Sequence, residues 1–310
     1  AGNCTSNPVS AMMRLIFFPL WLLHWLPLGA LWLPGRLLGA LAFVLARERR
    51  RVTLINLTLC FPQWSEAQRR EVALRHFQGF VTSALALGIA WFASERRLRT
   101  MIHFQGLEQV RDAQTKGPVI LLTPHFFGVD TIGPFLTLDF DVITINSKIK
   151  HPTLDTLIRE RRLRWGKGLI FARQDSLRSV LRAFKPGWLL YYLPDQDFGP
   201  KDSLFVDFFK VKAATVPALA RMSKLAKASV VPCVVHLDFR AGRFEVTFFP
   251  AWAHFPSGDD AADTQRMNHF IEERILEQPA NYLWSHKRFK TRPPGEASPY
   301  DRHPPPQSTQ

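Results

Sequence analysis

The chain has 310 residues, with 40 Lys plus Arg against 26 Asp plus Glu and a formal net charge of +14 at pH 7. This length allows one large domain or two small ones, with a substantial buried core. The three cysteines, Cys4, Cys60 and Cys233, are too widely spaced for a disulfide framework or a metal set. The excess positive charge implies an anionic partner: nucleic acid, acidic lipid, a phosphorylated substrate or an acidic protein.

An apolar segment lies near the N-terminus. From Leu15 to Pro34 the only ionisable residue is His24, and about 20 apolar residues suffice to cross the hydrocarbon core of a bilayer. Prolines at 19, 27 and 34 predict kinks, so a re-entrant or monotopic insertion competes with a clean span. A buried soluble helix and a cleaved signal peptide are the alternatives. We predict a membrane anchor over residues 12–46, and we interpret residues 1–11 as non-native or disordered.

A basic run follows the anchor directly. Arg47, Arg49, Arg50 and Arg51 are typical of the cytoplasmic side of a membrane segment, where they would contact anionic headgroups. The rest of the chain is therefore expected on the cytoplasmic side.

The remaining sequence alternates between strand and helix patterns. Ser65 and Gln68 form a capping box that begins a helix, and apolar periodicity continues to about Phe92. The predicted strands are 101–104, 118–122, 141–145, 168–171, 187–193, 204–209, 229–238 and 243–249, and the predicted helices are 107–115, 126–137, 153–164, 175–185, 215–227 and 261–277. This alternation predicts an α/β fold, a mixed sheet layered with helices. The Pro-rich tail, 292–310, is predicted to be disordered or draped on the surface.

A His and an Asp follow the strand predicted at 118–122. His125 and Asp130 are five positions apart, and in a helix that offset places both side chains near one face. A carboxylate beside an imidazole makes a general base that can deprotonate an alcohol. A strand-end His and a solvated Asp would show the same spacing, so the pair alone is only a candidate.

A second acidic motif follows the strand predicted at 187–193. Asp195 and Asp197 lie where α/β sheets present ligand groups, and they could bind a metal, orient a base or hold a basic side chain. Ordinary turn chemistry would also explain them.

Three further segments are weaker candidates. A basic run could clamp phosphates or could be a solvated helix face; its members are Arg159, Arg161, Arg162, Arg164 and Lys167, with Arg173 beyond. Residues 211–217 predict a small-residue turn that enters a helix and could hold an anion. Residues 284–290 mix aromatic and basic side chains, which indicates a nucleic-acid contact or, beside a membrane anchor, an interfacial role.

Together these motifs resemble the late acyltransferases of lipid A biosynthesis, the lauroyl/myristoyl transferase family of the lysophospholipid acyltransferase superfamily. The resemblance covers nearly the whole chain after residue 12. The matching segments are the N-terminal anchor, Arg49-Arg50-Arg51, Asn56-Leu57, Cys60-Phe61-Pro62, the H-x-x-x-x-D of His125 and Asp130, Pro194 to Gly199, Phe205 to Thr215, and Tyr282 to Pro293.

The resemblance implies a glycerolipid acyltransferase-like domain over residues 47–291 and transfer of a fatty acyl chain from acyl carrier protein. The acceptor would be a hydroxyl on a 3-hydroxyacyl chain of an anionic Kdo-bearing lipid A precursor, at the cytoplasmic face of the inner membrane of a Gram-negative bacterium. It implies no cofactor, no metal and no nucleic-acid partner. His125 would take the acceptor's proton and Asp130 would stabilise the imidazolium, without an acyl-enzyme.

The family also has a functional Arg in the basic segment and an Asp in the acidic loop. By position these best match Arg164 and Asp195, with Asp197, Arg161 and Arg173 as alternatives. The loop reads Asp-Gln-Asp where some relatives have Asp-His-Asp.

Two other functions remain open from the sequence. The same general base could acylate another membrane lipid, such as a lysophospholipid or an ornithine lipid. A basic membrane-tethered binding module without catalysis would instead bind nucleic acid in a salt-sensitive way.

Overall fold

The computed structural model describes residues 17–147, 151–239 and 241–301, so the segment interpreted as non-native or disordered, 1–11, lies outside the described residues. The helices are α1 (17–23), α2 (Trp32–Leu45), α3 (Arg47–Cys60), α4 (Glu66–Phe92), α5 (Glu95–Met101), α6 (Leu107–Lys116), α7 (Val129–Leu136), α8 (Pro152–Arg162), α9 (Leu177–Ala183), α10 (Ala218–Ala226) and α11 (Asp260–Glu277). The strands are β1 (Ile102–Gln105), β2 (Val119–Leu122), β3 (Asp141–Asn146), β4 (Gly168–Ala172), β5 (Trp188–Tyr192), β6 (Leu204–Phe208), β7 (Val211–Thr215), β8 (Ser229–Asp238) and β9 (Arg243–Phe248).

Seven of these strands form one mixed sheet, in the order β1-β9-β8-β2-β5-β3-β4. The β8–β9 pair is antiparallel and the other neighbouring pairs are parallel. The predicted mixed α/β fold is therefore confirmed. Strands β6 and β7 form a separate antiparallel hairpin.

Helices cover both faces of the sheet, and the central strand β2 is buried on both sides. Val119 and Leu121 belong to one apolar cluster, which includes residues of α4, α6 and α7. Ile120 and Leu122 belong to the other, which includes residues of α3, α10 and α11. Because successive strand side chains point to opposite faces, a continuous apolar strand needs cover on both.

Helix α2 packs along α4 through small residues. A Cβ atom at Gly39 would lie 2.4 Å from the Cα of Gln78, so only glycine permits this close approach.

The apolar segment near the N-terminus is not one helix. Helix α1 ends at residue 23, and Pro27 precedes a short 3-10 helix, Leu28–Leu31, that leads into α2. Within the described part of the chain, two helical stretches, Leu28–Leu45 and Glu66–Phe92, are long and apolar enough to cross a membrane by length and composition.

Three local predictions need correction. Residues 211–215 form strand β7 and not a turn. The small side chains of Ala213 and Ala214 are buried where this strand pairs with β6. Helix α7 begins at Val129, three residues later than predicted. Residues 284–290 are not an interfacial surface, since Trp284, Arg288 and Phe289 are all buried.

The capping box of Ser65 and Gln68 is confirmed. In the proline-rich tail, the described part ends in a fixed contact: Tyr300 is buried, donates its hydroxyl to Asn56 and accepts the backbone N–H of Phe289 at 3.1 Å.

Candidate active site

Two loops meet at the carboxyl ends of β2 and β5. The strands are parallel, and their register places Leu122 opposite Tyr192. The hydrogen bonding between β2 and β5 continues one residue beyond β2, since the backbone N–H of Thr123 donates to the carbonyl of Tyr192 at 2.9 Å. His125 and Asp195 each lie three residues beyond these paired strand ends, so the register brings them together.

Asp195 holds His125 at two points. Its Oδ1 lies 2.6 Å from the Nδ1 of His125, and its Oδ2 accepts the backbone N–H of His125 at 2.9 Å. The Asp195 side chain is 1% exposed, whereas the imidazole is 19% exposed. The carboxylate therefore fixes the proton on Nδ1 and leaves Nε2, the nitrogen on the accessible side, to accept a proton.

His125 and Asp195 each shift the pKa of the other. Burial alone would lower the pKa of His125, but the adjacent Asp195 carboxylate, helped by Asp130, raises this pKa above its ordinary value. Burial would raise the pKa of Asp195, but the charge of His125 and the hydrogen bonds it receives lower it. The carboxylate therefore stays ionised while the imidazole titrates.

Asp130 does not contact His125 by a hydrogen bond. Because Gly128 has a φ of +94° and turns the chain into α7, His125 precedes the helix and the assumed one-face geometry does not arise. The Asp130 side chain is 65% exposed and pairs with Arg162 at 2.8 Å. Its charge still contributes to the raised pKa of His125.

The C-terminal segment, residues 279–291, fixes the His125 loop from the other side. Leu283 donates its backbone N–H to the carbonyl of His125, and Phe127 donates to the carbonyl of Asn281, both at 3.0 Å. Tyr282 reaches across to the second loop, where its hydroxyl donates to the carbonyl of Asp195 at 3.4 Å.

The same segment holds the Asp195 loop. The carboxylate of Asp197 is buried and accepts the backbone N–H and the hydroxyl of Thr291, at 2.6 and 2.8 Å. His286 accepts the backbone N–H of Asp197 at 3.2 Å, and burial together with the charge of His125 lowers the pKa of His286 to about 4. Asp197 therefore supports the loop and does not point into the site.

A cavity of about 660 Å³ opens beside His125 and is lined by both polar and apolar side chains. Val129 and Pro134 of α7 and Val142 of β3 contribute apolar walls. The polar lining includes Gln196, Asp130, Arg162, Arg173 and Lys201. Such a lining can contact apolar and anionic parts of one ligand.

The structure does not bring Arg164 or Arg161 to this cavity. Arg164 donates to the carbonyl of Ala93 at 2.7 Å, and Arg161 donates to the carbonyl of Trp91 at 3.3 Å. Both side chains therefore satisfy carbonyls at the C-terminal end of α4, where helices leave them unpaired. Arg164, which best matches the family's functional arginine by position, therefore lies outside the cavity beside His125.

Arg173 does line the cavity, and its guanidinium lies 3.8 Å from the ring centre of Phe198.

Two other residues that line the cavity are not singled out by the sequence. Arg162 was named only as one member of the basic run, and Gln196 only as a family variation. The sequence pattern does not separate Arg162 from its neighbours, because Arg159, Arg161 and Arg162 all lie within the last four residues of α8. Across residues 17–147, 151–239 and 241–301, no group of three or more His, Cys, Asp or Glu could hold a metal ion.

Comparison with known proteins identifies the family of the chain. A family model, bacterial lipid A biosynthesis acyltransferase, matches residues 5–291. The chain is 31% identical over 298 residues to the lipid A biosynthesis lauroyltransferase of Escherichia coli K12, covering 92% of this chain and 97% of that protein. It is 33% identical over 267 residues to the E. coli K12 lipid A biosynthesis myristoyltransferase, covering 86% and 82%. The chain therefore belongs to the bacterial lipid A biosynthesis acyltransferase family.

Proposed function

We propose that the protein transfers a fatty acyl chain from acyl carrier protein to a hydroxyl of a 3-hydroxyacyl chain on a Kdo-bearing lipid A precursor, which forms an acyloxyacyl group. The observation that carries this proposal is the His125–Asp195 pair, which sits at the wall of a large cavity with basic and apolar lining in a member of this family.

The chemistry follows from the geometry of the pair. Nε2 of His125 removes the proton of the acceptor hydroxyl as the oxygen attacks the thioester carbonyl. Asp195 orients the imidazole and stabilises the imidazolium directly. Asp130 adds charge from a greater distance and positions Arg162. The proton then returns from Nε2 to the leaving thiolate, so no acyl-enzyme is required.

The charge of the site supports anionic substrates. Arg162, Arg173 and Lys201 line the cavity, and lipid A precursors carry phosphates and carboxylates. The net charge of +14 also favours an acidic carrier protein as the donor.

Lipid profiling tests the function. In a bacterial strain that lacks its own late acyltransferase, expression of this chain should add one acyl group to lipid A, as measured by mass spectrometry. The His125→Ala chain should leave lipid A unchanged. An acyl group found instead on a phospholipid or an ornithine lipid would overturn the proposed acceptor while leaving the acyl transfer intact.

We also propose that the exposed face of α2 lies in the inner membrane, with the catalytic domain on the cytoplasmic side. Leu37, Leu41 and Leu45 are 64, 52 and 68% exposed on this face. Folded chains rarely leave so many large apolar side chains in water unless another apolar phase covers them. Arg47 and Arg51 follow directly and favour the cytoplasmic orientation.

Charges on this face should release the protein from the membrane. The Leu37→Lys, Leu41→Lys double variant is expected to shift from the membrane fraction to the soluble or aggregated fraction, because each buried charge costs about 2.5–3.5 kcal/mol at mid-bilayer. Leu225→Lys with Leu276→Lys is the matched control, since these leucines are 62 and 59% exposed. Equal membrane retention of both double variants after a carbonate wash would contradict the proposal.

A further inference from the structure

Acyl transfer to a hydroxyl passes through a tetrahedral intermediate, whose oxyanion needs hydrogen-bond donors. Backbone N–H groups near a general base are the usual first place to look for them. In this protein, the N–H groups of the His125 loop already have acceptors within the fold. The pairs are Thr123 to Tyr192, His125 to Asp195, Phe126 to Pro124, Phe127 to Asn281, Gly128 to the hydroxyl of Ser83, and Val129 to Phe126. The oxyanion donor must therefore come from elsewhere.

Gln196 presents a donor at the reacting nitrogen itself. Its side-chain Nε2 lies 3.0 Å from Nε2 of His125, and both residues line the cavity. Because Asp195 accepts the proton on Nδ1 of His125, the other imidazole nitrogen carries a lone pair. The amide of Gln196 therefore donates its N–H to the lone pair that the reaction needs.

This hydrogen bond cannot persist during catalysis. The acceptor hydroxyl must occupy the same lone pair before His125 can remove its proton, so the incoming hydroxyl displaces the amide. The half-buried amide that loses this partner inside the cavity is then free to donate to a new acceptor. The nearest developing negative charge is the thioester carbonyl oxygen, because the attacked carbon lies next to the hydroxyl bound at Nε2.

We propose that Gln196 is a further catalytic residue: its side-chain amide occupies Nε2 of His125 in the free protein and, once the acceptor hydroxyl displaces it, donates to the oxyanion of the tetrahedral intermediate. The inference rests on the proposed function. The acceptor oxygen forms a bond to the thioester carbon, the carbonyl electron pair moves onto oxygen, and the hydroxyl proton passes to Nε2. When the electron pair returns, the carbon–sulfur bond breaks and the proton goes to the thiolate.

Two of the three cationic lining residues, Arg162 and Arg173, have other partners in the described structure, and Lys201 makes no hydrogen bond to His125 there. Arg162 is engaged by Asp130 at 2.8 Å, and Arg173 donates to the carbonyl of Phe198 at 3.3 Å. Neither makes a hydrogen bond to His125, whereas Gln196 does. The neutral amide also adds no charge that would hold the imidazole in one protonation state.

Four variants test the proposal with purified protein, acyl-acyl carrier protein and a Kdo-bearing lipid A precursor. Gln196→Ala should lower kcat by roughly 10²–10³-fold with little change in KM, because the oxyanion is present only after attack. Gln196→His should restore most of kcat, since its imidazole can supply an N–H donor. Gln114→Ala is the matched control: this amide donates to the carbonyl of Gly187 at the opposite end of the sheet, at 2.8 Å.

Gln196→Glu gives a readout that a structural role would not produce. Its carboxylate would accept from the imidazolium at Nε2 and add to the charges of Asp195 and Asp130 that already face His125; His286, the other titratable neighbour, stays neutral above its pKa of about 4. The acid limb of kcat/KM should therefore move to higher pH while kcat stays as low as in Gln196→Ala.

The proposal is overturned if Gln196→Ala and Gln196→Glu both keep kcat near that of Gln114→Ala, or if the loss appears in KM alone. A fall in melting temperature without recovery of kcat in Gln196→His would likewise assign the residue a structural role. If His125→Ala is also active, the general base itself fails. If only the Gln196 variants are active, the general base stands and another donor, Arg162 first, serves the oxyanion.

Discussion

His125→Ala is expected to lose about 10²–10⁴-fold in kcat while the chain remains folded and keeps its affinity for the acyl donor. The imidazole is the base that the geometry offers to the acceptor hydroxyl, and its removal leaves water as the proton acceptor. The acid limb of the pH profile should disappear with it, because the group that produces this limb is gone. Steady-state kinetics across pH, with thermal unfolding of the same samples, measure both effects.

His103→Ala is the matched control for this variant. His103 is exposed on β1, the edge strand of the sheet, and it does not line the cavity. It should therefore keep normal turnover and the normal acid limb. Near-normal turnover by His125→Ala would end the mechanism proposed here, whatever the lipid product.

Asp195→Asn is expected to reduce kcat on the order of 10⁴-fold, comparable to the loss of the orienting carboxylate in a serine protease triad. The amide of Asn can donate to Nδ1 of His125, which would leave the proton on Nε2 and remove the lone pair. The pH dependence has a definite sign. Asp195 raises the pKa of His125 against the opposing effect of burial, so its neutralisation lowers that pKa. The acid limb of kcat/KM should move to lower pH.

Asp130→Asn separates the two carboxylates. Asp130 also raises the pKa of His125, but it makes no hydrogen bond to the ring and pairs with Arg162 instead. The acid limb should therefore move in the same direction by a smaller amount. A larger shift for Asp130→Asn than for Asp195→Asn would make Asp130 the principal partner, as the spacing of the motif suggested.

The contrast between Asp195 and Asp130 shows which part of the site could not be predicted from the sequence. The predicted strands and helices around the sheet follow from apolar periodicity and caps, and they lie within a few residues of the observed ones. Helices α3 and α5 and strand β7 were not predicted. The partner of His125 depends on strand register, which joins positions 70 residues apart. Neighbouring positions suggested Asp130, but the pairing of Leu122 with Tyr192 brings Asp195 to the imidazole.

The arginines of the basic run show a second limit on what the sequence can predict. An apolar stripe reveals which way a helix faces, but the arginines of α8 are crowded into its last four residues and Arg164 lies beyond its end, so the pattern does not tell them apart. Arg161, Arg162 and Arg164 are close in sequence, yet Arg162 lines the cavity while the other two contact carbonyls at the end of α4. Their roles are decided by tertiary neighbours that the sequence pattern does not encode.

The position of residues 279–291 in the chain has a consequence for biosynthesis. These residues hold both catalytic loops, yet the ribosome adds them after every strand of the sheet. A nascent chain can complete the sheet and still leave His125 without its support from Leu283 and Asn281. A chain that ends before this segment would keep the strand register that pairs His125 with Asp195, but it would lack the hydrogen bonds that join the two loops. The last bonds that fix the site therefore form late, when the segment that joins the two loops has been synthesised.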